Sequence, residues 1–554
     1  MNKSIPEGQQ KVTANVIEGP AEFEMPLSHV RCNQEGGSMS NRNYHNPIIR
    51  GTHPDPSLCR VGEDYYLCTS TFACFPAAPI FHSRDLIHWQ PIGHALSRPE
   101  QLPLDGVAIP RGMYAPSLRH INGRFYMITT LMGHPTLGCR HLYVSTEDPA
   151  GQWSDATWIV QPGIDPDLFQ DADGRTYFLR NSSGEPGPRR LVMGEIDLET
   201  GTVQGEMREL WRGTGGYEPE GPHLYRIGDW YYLLAAEGGT GYGHMVTIAR
   251  SRDLWGPYEP CPHNPVLSHR DAKPHPIQCT GHADLFEDHC GNWWMVFLGV
   301  RPPDGWSQHQ HLGRETFLAP VTWEDGWPVV NGGQTIELEM TAPLPPPVPT
   351  PALPARDGFD APALRLDWLT LRQPPPGTWS LSERPGWLRL HGQAARLDDE
   401  GAAPAFVGRW QTEMTYTVST RLDFEPARDG EEAGLTTFMK ETHHYEIAVA
   451  RRGGRRVILL RRRILDLQVV VAEEELPAGP VKLVCDATPE AYTFSYRAGG
   501  VPLRLLGTAA IRPISSDDAG TFTGMLFGLY ATGNGEPCIT PADFDFCEYN
   551  THYE

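Results

Sequence analysis

Between residues 46 and 330 the chain is a succession of short apolar runs cut by turns, and five segments repeat one pattern. Asp55-Pro56-Ser57-Leu58 leads to Gly62 and Tyr65-Tyr66, and Ala115-Pro116-Ser117-Leu118 leads to Gly123 and Phe125-Tyr126. Asp165-Pro166-Asp167-Leu168 leads to Gly174 and Tyr177-Phe178, Gly221-Pro222-His223-Leu224 to Gly228 and Tyr231-Tyr232, and His282-Ala283-Asp284-Leu285 to Gly291 and Trp293-Trp294. Each reads as a strand, a glycine turn and an aromatic second strand, that is, a hairpin with one face buried. Further strand-like runs follow, such as Ile80-Phe81-His82-Ser83 and Val246-Thr247-Ile248-Ala249-Arg250. The repeats recur 60, 50, 56 and 61 residues apart. That suits four-stranded units with variable loops, and five of them predict a five-bladed β-propeller over residues 42–340.

A different pattern follows. Ala342-Pro343-Leu344-Pro345-Pro346-Pro347-Val348-Pro349-Thr350-Pro351 is expected to stay extended without pairing, so residues 341–356 are read as a semi-rigid Pro-rich linker. Beyond it, Met414 to Phe424 and Tyr492 to Arg497 alternate apolar with polar residues. Period two with one wet face predicts an antiparallel, jelly-roll-like β-sandwich over residues 357–554. The fold class is therefore all-β, a propeller followed by a sandwich. Residues 1–41 are polar, lack the hydrophobic centre of a secretory signal, and are read as a flexible N-terminal extension.

Composition narrows the function. A formal charge of −22 argues against a nucleic-acid partner, and no apolar run approaches the roughly 18 residues needed to span a bilayer, so no membrane partner is expected. The chain is read as cytoplasmic. Its 11 Cys include no C-x-x-C pair and are read as reduced, mostly buried thiols.

In a propeller the first strand of each blade lines the central axis, so Asp55, Tyr114 or Ala115, Asp165, Glu220 and His282 should converge in one funnel. Three carboxylates there suit glycosidic bond cleavage: one protonates the leaving oxygen, one activates water or attacks, and the third adjusts the others. A neighbouring negative charge also helps keep the acid protonated near neutral pH.

Several stretches carry a resemblance to a family: His53-Pro54-Asp55-Pro56-Ser57, Gly163-Ile164-Asp165-Pro166-Asp167-Leu168-Phe169, Glu220-Gly221-Pro222-His223-Leu224-Tyr225, Ala236-Glu237-Gly238-Gly239-Thr240, Gly281-His282-Ala283, Gly313-Arg314-Glu315-Thr316 and Phe522-Thr523-Gly524. From about Asn46 to Tyr549 the chain resembles glycoside hydrolase family 43, in its β-xylosidase and α-L-arabinofuranosidase branch with a C-terminal β-sandwich. The resemblance implies that Asp55 is the general base, Glu220 the general acid, and Asp165 the residue that orients Glu220 and raises its pKa. It implies inversion of configuration, with base and acid roughly 6.5–9.5 Å apart.

Arg314 resembles the family's active-site arginine, Phe72 an aromatic lining the sugar pocket, and Phe522 the sandwich residue that closes it. Tyr114 stands where the branch often has Trp. His282 resembles an axial histidine that in many members belongs to a divalent cation or water site. No cofactor is expected for the chemistry, and a structural calcium near the axis is the candidate metal. The chain has Phe72-Ala73-Cys74-Phe75 where relatives place Phe-Glu-Trp-Phe, and Arg180 to Pro186 lacks the tryptophans that some xylosidases set around the leaving sugar.

The resulting expectation is an inverting exo-1,4-β-xylosidase acting on non-reducing ends of xylo-oligosaccharides, with arabino-oligosaccharides as further substrates and the sandwich as a support for homo-oligomers. A dedicated α-L-arabinofuranosidase is the rival within the class, and a non-catalytic carbohydrate-binding propeller the rival outside it. Three other motifs are set aside. Gly238 to Gly243 lacks the Lys-Ser/Thr of a P-loop and reads as a loop, the arginines around Val457 to Leu460 as a solvated hairpin face, and His443-His444-Tyr445 as a strand.

Overall fold

The structure, a computed structural model, describes residues 41–305 and 309–552. Residues 1–40 of the expected N-terminal extension lie outside these. Asn41 already belongs to a strand, Asn41–His45, which pairs antiparallel with Glu339–Pro343 from Asn41 opposite Pro343 to His45 opposite Glu339. Ala342 and Pro343 are therefore paired, against the expectation that the Pro-rich stretch stays free. Pro343 is tolerated because it ends its strand in a two-stranded sheet, where one edge needs no partner.

Between these two strands lie five antiparallel sheets, each built from consecutive chain in simple meander order. They open with Ser57–Val61, Ser117–Ile121, Asp167–Gln170, Glu220–Ile227 and Gln278–Glu287. Each opening strand touches the next, and the fifth touches the first, so the five close a ring. The repeat glycines Gly62, Gly123, Gly174, Gly228 and Gly291 all turn the first hairpin with positive φ. A Cβ at Gly62, Gly123 or Gly174 would meet nothing within 4 Å, so backbone conformation and not space selects glycine there. The aromatic residues after the turns supply the core between sheets: Tyr65, Tyr177, Tyr232 and Trp294 are wholly buried.

The C-terminal part has two sheets. One runs from Trp379–Ser380 through Leu388–Leu390, Ala542–Thr551, Tyr416–Asp423, Val481–Ala487 and Ala491–Ala498 to Arg504–Ala510. The other is six-stranded, from Ala405–Trp410 to Leu467–Glu475, and shares a core with the first through Val418, Leu435, Ile447, Leu483 and Phe494. Its central strands Glu432–Lys440 and His443–Arg452 are buried on both faces, whereas one wet face was expected. The cause is a second contact. Phe406, Phe438, Leu459 and Tyr530 on its outer side pack with Leu102, Leu131 and Leu142 of the ring domain in one apolar cluster. Thr370–Leu371 also pairs with Cys74–Phe75, a short strand between the second and third strands of the first sheet, in a two-stranded sheet of their own.

Gly238 to Gly243 is a loop between Trp230–Glu237 and Met245–Ser251, and the arginine-flanked run lies in the hairpin His443–Arg452 with Arg455–Ile464. That face is less solvated than expected, since Arg461 is paired with Glu432 and Glu446. Nine described cysteines carry free thiols, most of them buried, and Cys290 departs from the expectation in being disulfide-bonded. No helix among the described residues is long and apolar enough to cross a membrane.

Candidate active site

The residues that open the repeats meet at one end of the ring. Asp55, Asp165 and His282 hold φ values of 55°, 53° and 42°, in the left-handed region that costs a non-glycine residue about 1–3 kcal/mol. Glu220 starts its strand, and the pairing register shifts between Glu220 and His223. Such a bulge re-aims side chains next to it. Gly221, with φ 56°, passes so close to His282 that a Cβ would lie 2.9 Å from its Nε2.

One atom each of Asp165, Glu220 and His282 lie within 4.8 Å of one another. Asp55 stands outside that trio and approaches His282 Nδ1 at 3.7 Å. Ionisation is split between the carboxylates. Burial alone would raise Asp55, but Arg314, His282 and the Ser70 hydroxyl, which donates to Oδ2 at 2.5 Å, hold it below its usual value. Burial, then the charge of Asp55, pushes Glu220 up to about 8, and burial with the charges of Glu220 and Asp55 pushes Asp165 well up. His282 is brought down to about 4 by burial and is neutral.

Arg314 ties the parts together. Its Nη1 donates to Asp55 Oδ1 at 3.0 Å and to the Thr240 hydroxyl at 2.8 Å, and its Nε donates to the Phe522 carbonyl at 3.2 Å. Its guanidinium lies 5.6 Å from the centre of the Phe72 ring and 5.0 Å from that of Phe522. Phe72, Tyr114 and Phe522 pack edge to face with centroids 5.3–6.2 Å apart. The structure thus gathers every residue picked from the sequence, including Phe522, which the sandwich delivers through a loop seated on the ring: Met525 N–H donates to the His311 carbonyl at 2.8 Å.

A second layer, two residues further along three of the strands, escaped the sequence reading. Arg119 donates to Asp284 and to Asp167, both at 2.8 Å, and to His223 Nδ1 at 2.7 Å. Ser57 and Tyr225 donate to Asp284 at 2.8 and 2.5 Å, so all five opening strands meet in one buried network. Asp167 and Asp284 follow Asp165 and His282 by two positions, the period that keeps side chains on one face of a strand. His244 was also missed. Its Nδ1 lies 3.2 Å from the Cys279 carbonyl, its ring covers Gly281, and burial lowers its pKa to about 3.

The Asp165, Glu220 and His282 trio is the donor set on which the expected cation would rest. Calcium takes 6–8 oxygens, and the next axial carboxylates, Asp167 and Asp284, are neutralised by Arg119. The set fits calcium poorly, since a cation there would draw most of its shell from water.

Residues 44–328 match the family model for glycosyl hydrolases family 43, and residues 356–550 match that for the beta xylosidase C-terminal concanavalin A-like domain. The chain is 46% identical over 516 residues to a non-reducing end alpha-L-arabinofuranosidase of Bacteroides ovatus, covering 92% of this chain and 96% of the relative. It is 36% identical over 517 residues to a xylosidase/arabinosidase of Butyrivibrio fibrisolvens, covering 90% and 98%. Among solved structures, GH43B of the Bacteroides ovatus xyloglucan PUL superposes with a TM-score of 0.88 at 45% identity, covering 92% of this chain and all of that one. A xylan beta-1,4-xylosidase from Bacillus halodurans superposes with 0.85 at 32% identity, over 92% and 100%.

Proposed function

The chain belongs to glycosyl hydrolase family 43, and from that premise we propose that it is an exo-acting, inverting glycosidase that removes one terminal pentose from the non-reducing end of an oligosaccharide. The observation that carries this reading is the split ionisation of the carboxylates: Asp55 held low beside Arg314, Glu220 raised to about 8. At neutral pH this leaves one carboxylate able to take a proton from water and one carboxylic acid able to give a proton to the leaving oxygen.

In the proposed reaction Asp55 removes a proton from a water that attacks the anomeric carbon, while Glu220 protonates the departing oxygen. Asp55 lies outside the trio that contains Glu220, which agrees with a water set between base and acid. Asp165, sharing the buried site with Glu220, orients the acid, which burial and the charge of Asp55 keep protonated. Arg314 holds Asp55 ionised, and its remaining N–H groups, with the Phe72, Tyr114 and Phe522 rings, form the wall for one sugar. No cation is needed, because one bound at the trio would compete for the proton that Glu220 must deliver. The five meanders are read as the blades of a five-bladed β-propeller around this funnel.

We put α-L-arabinofuranosides first among substrates: the relative at 46% identity is named a non-reducing end alpha-L-arabinofuranosidase, and the altered rim at Phe72 to Phe75 and Arg180 to Pro186 supports a shift away from xylosides. Relatives named xylosidases at 36% identity keep β-xylosides as the second reading. Initial rates on aryl α-L-arabinofuranoside and aryl β-xyloside, with Glu220→Ala as control, decide between them. Dominant arabinoside turnover that collapses in the variant is expected, and dominant xyloside turnover reverses the order. Sugar binding without turnover of either substrate would return the protein to a carbohydrate-binding role.

A further inference from the structure

The segment 212–219, which leads into the Glu220 strand, is anchored from beneath by a buried charge. Glu237 is wholly buried, and its carboxylate accepts from the Thr214 and Gly216 backbone N–H groups at 2.8 Å each, from the Thr214 hydroxyl at 3.2 Å and from the Thr247 hydroxyl at 2.7 Å. A buried carboxylate persists only when its lone pairs are taken, so these bonds fix the loop as firmly as they satisfy the charge. The loop is held at three further points. Gly238 N–H donates to the Tyr217 carbonyl at 2.7 Å, and Glu218 pairs with Arg189 at 3.0 Å. On the far side, the Asn181 amide donates to the Pro219 carbonyl at 2.6 Å.

On this fixed loop one large ring is left in solvent. Tyr217 is 71% exposed. Its ring edge would lie 3.4 Å from a Cβ at Gly239, and the next residue, Thr240, bonds the arginine that holds Asp55. Three residues along the chain from Tyr217 is Glu220. The exposed ring thus lies beside Gly239, one residue from the threonine that bonds Arg314, and on the segment that leads into Glu220.

A pre-fixed aromatic surface loses little freedom when a ligand settles on it, and the C–H face of a sugar ring is the apolar surface that suits it. We propose that Tyr217 is the stacking platform for the second sugar of the substrate, the one that departs, and that it presents the bridging oxygen of that sugar to Glu220. The segment Arg180 to Pro186 has no tryptophan to do this. The inference rests on the glycosidase reading and names the leaving-group side of the same site.

The test compares two substrates with one terminal pentose: a disaccharide, whose leaving group is a second sugar, and the glycosyl fluoride, whose leaving group is a single atom. Both the arabinofuranosyl and the xylosyl pair are run. Tyr217→Ala is expected to lower kcat/KM on the disaccharide roughly tenfold, the scale of one lost aromatic contact, while the fluoride changes less than about twofold. Tyr217→Phe should match wild type on both. The fluoride rate also reports that the variant is folded. An equal loss on both substrates, or no loss on the disaccharide, overturns the platform alone. Wild type inert on all four substrates overturns the platform and the glycosidase reading together.

Discussion

At the scale of single residues, the site is a problem in where protons sit. Glu220 keeps its proton to about 8 and Asp55 gives its own up below the ordinary range near 3.9, so the active form spans the pH interval between them. We expect kcat/KM to fall above about pH 8 as Glu220 ionises, and on the acid side only below about pH 4; a pH–rate profile checks both limbs. The same shift has a stability sign. An unfolded Glu ionises near 4.3, so between that pH and 8 the folded state holds a proton the unfolded state has lost, and stability falls as pH rises through that window. Glu220→Gln should therefore melt several degrees above wild type at pH 9 and level with it near pH 4, by calorimetry, while losing turnover. Asp55 and Asp165 were legible in sequence because the repeat places them in equivalent positions, and Glu220 because it directly precedes the fourth repeat. Arg119 was not, because it enters the axis four residues after Ala115, off the two-residue offset that links Asp165 to Asp167 and His282 to Asp284.

At the scale of elements, the hairpins were the most readable feature, since a glycine with positive φ is required at each first turn and a large aromatic fills each core. Ring closure was less readable. It depends on side chains from five strands finding one another, and Arg119 is the hub that three of them share. Arg119→Met keeps the length of the side chain but leaves Asp167 and Asp284 buried without their cation. Removing one partner of a buried ion pair costs about 3–5 kcal/mol, so the melting temperature should drop by several degrees at pH 7. Asp284 is held far below its usual pKa, burial being outweighed by Arg119 and His223, so the stability it contributes is present above about pH 4 and lost as pH falls. The deficit of the variant should accordingly hold down to about pH 4 and shrink only as pH falls below it. A deficit independent of pH would mean that Arg119 acts by packing and not by charge.

At the scale of the whole molecule, the sandwich is part of the pocket. Alternation along its strands foretold two sheets, yet it could not foretell that the six-stranded sheet would bury its second face on the ring domain, because a partner surface leaves no periodic mark of its own. The closing contact is made where two chain segments nearly touch: a Cβ at Gly524 would lie 2.3 Å from the Leu312 carbonyl oxygen and 2.3 Å from the Thr52 hydroxyl, and one at Gly313 would lie 2.7 Å from Gly524 N. Only glycine permits this approach, and it is this approach that sets Phe522 against Phe72, Tyr114 and Arg314. Gly524→Ala must push the loop away from the ring, so the sugar wall opens while the carboxylates stay in place. Steady-state kinetics should show KM raised several-fold with kcat altered far less, and Phe522→Ala should reproduce that change. If Gly524→Ala leaves KM alone while Phe522→Ala raises it, the loop has slack, and the sandwich contributes the ring of Phe522 without fixing its position.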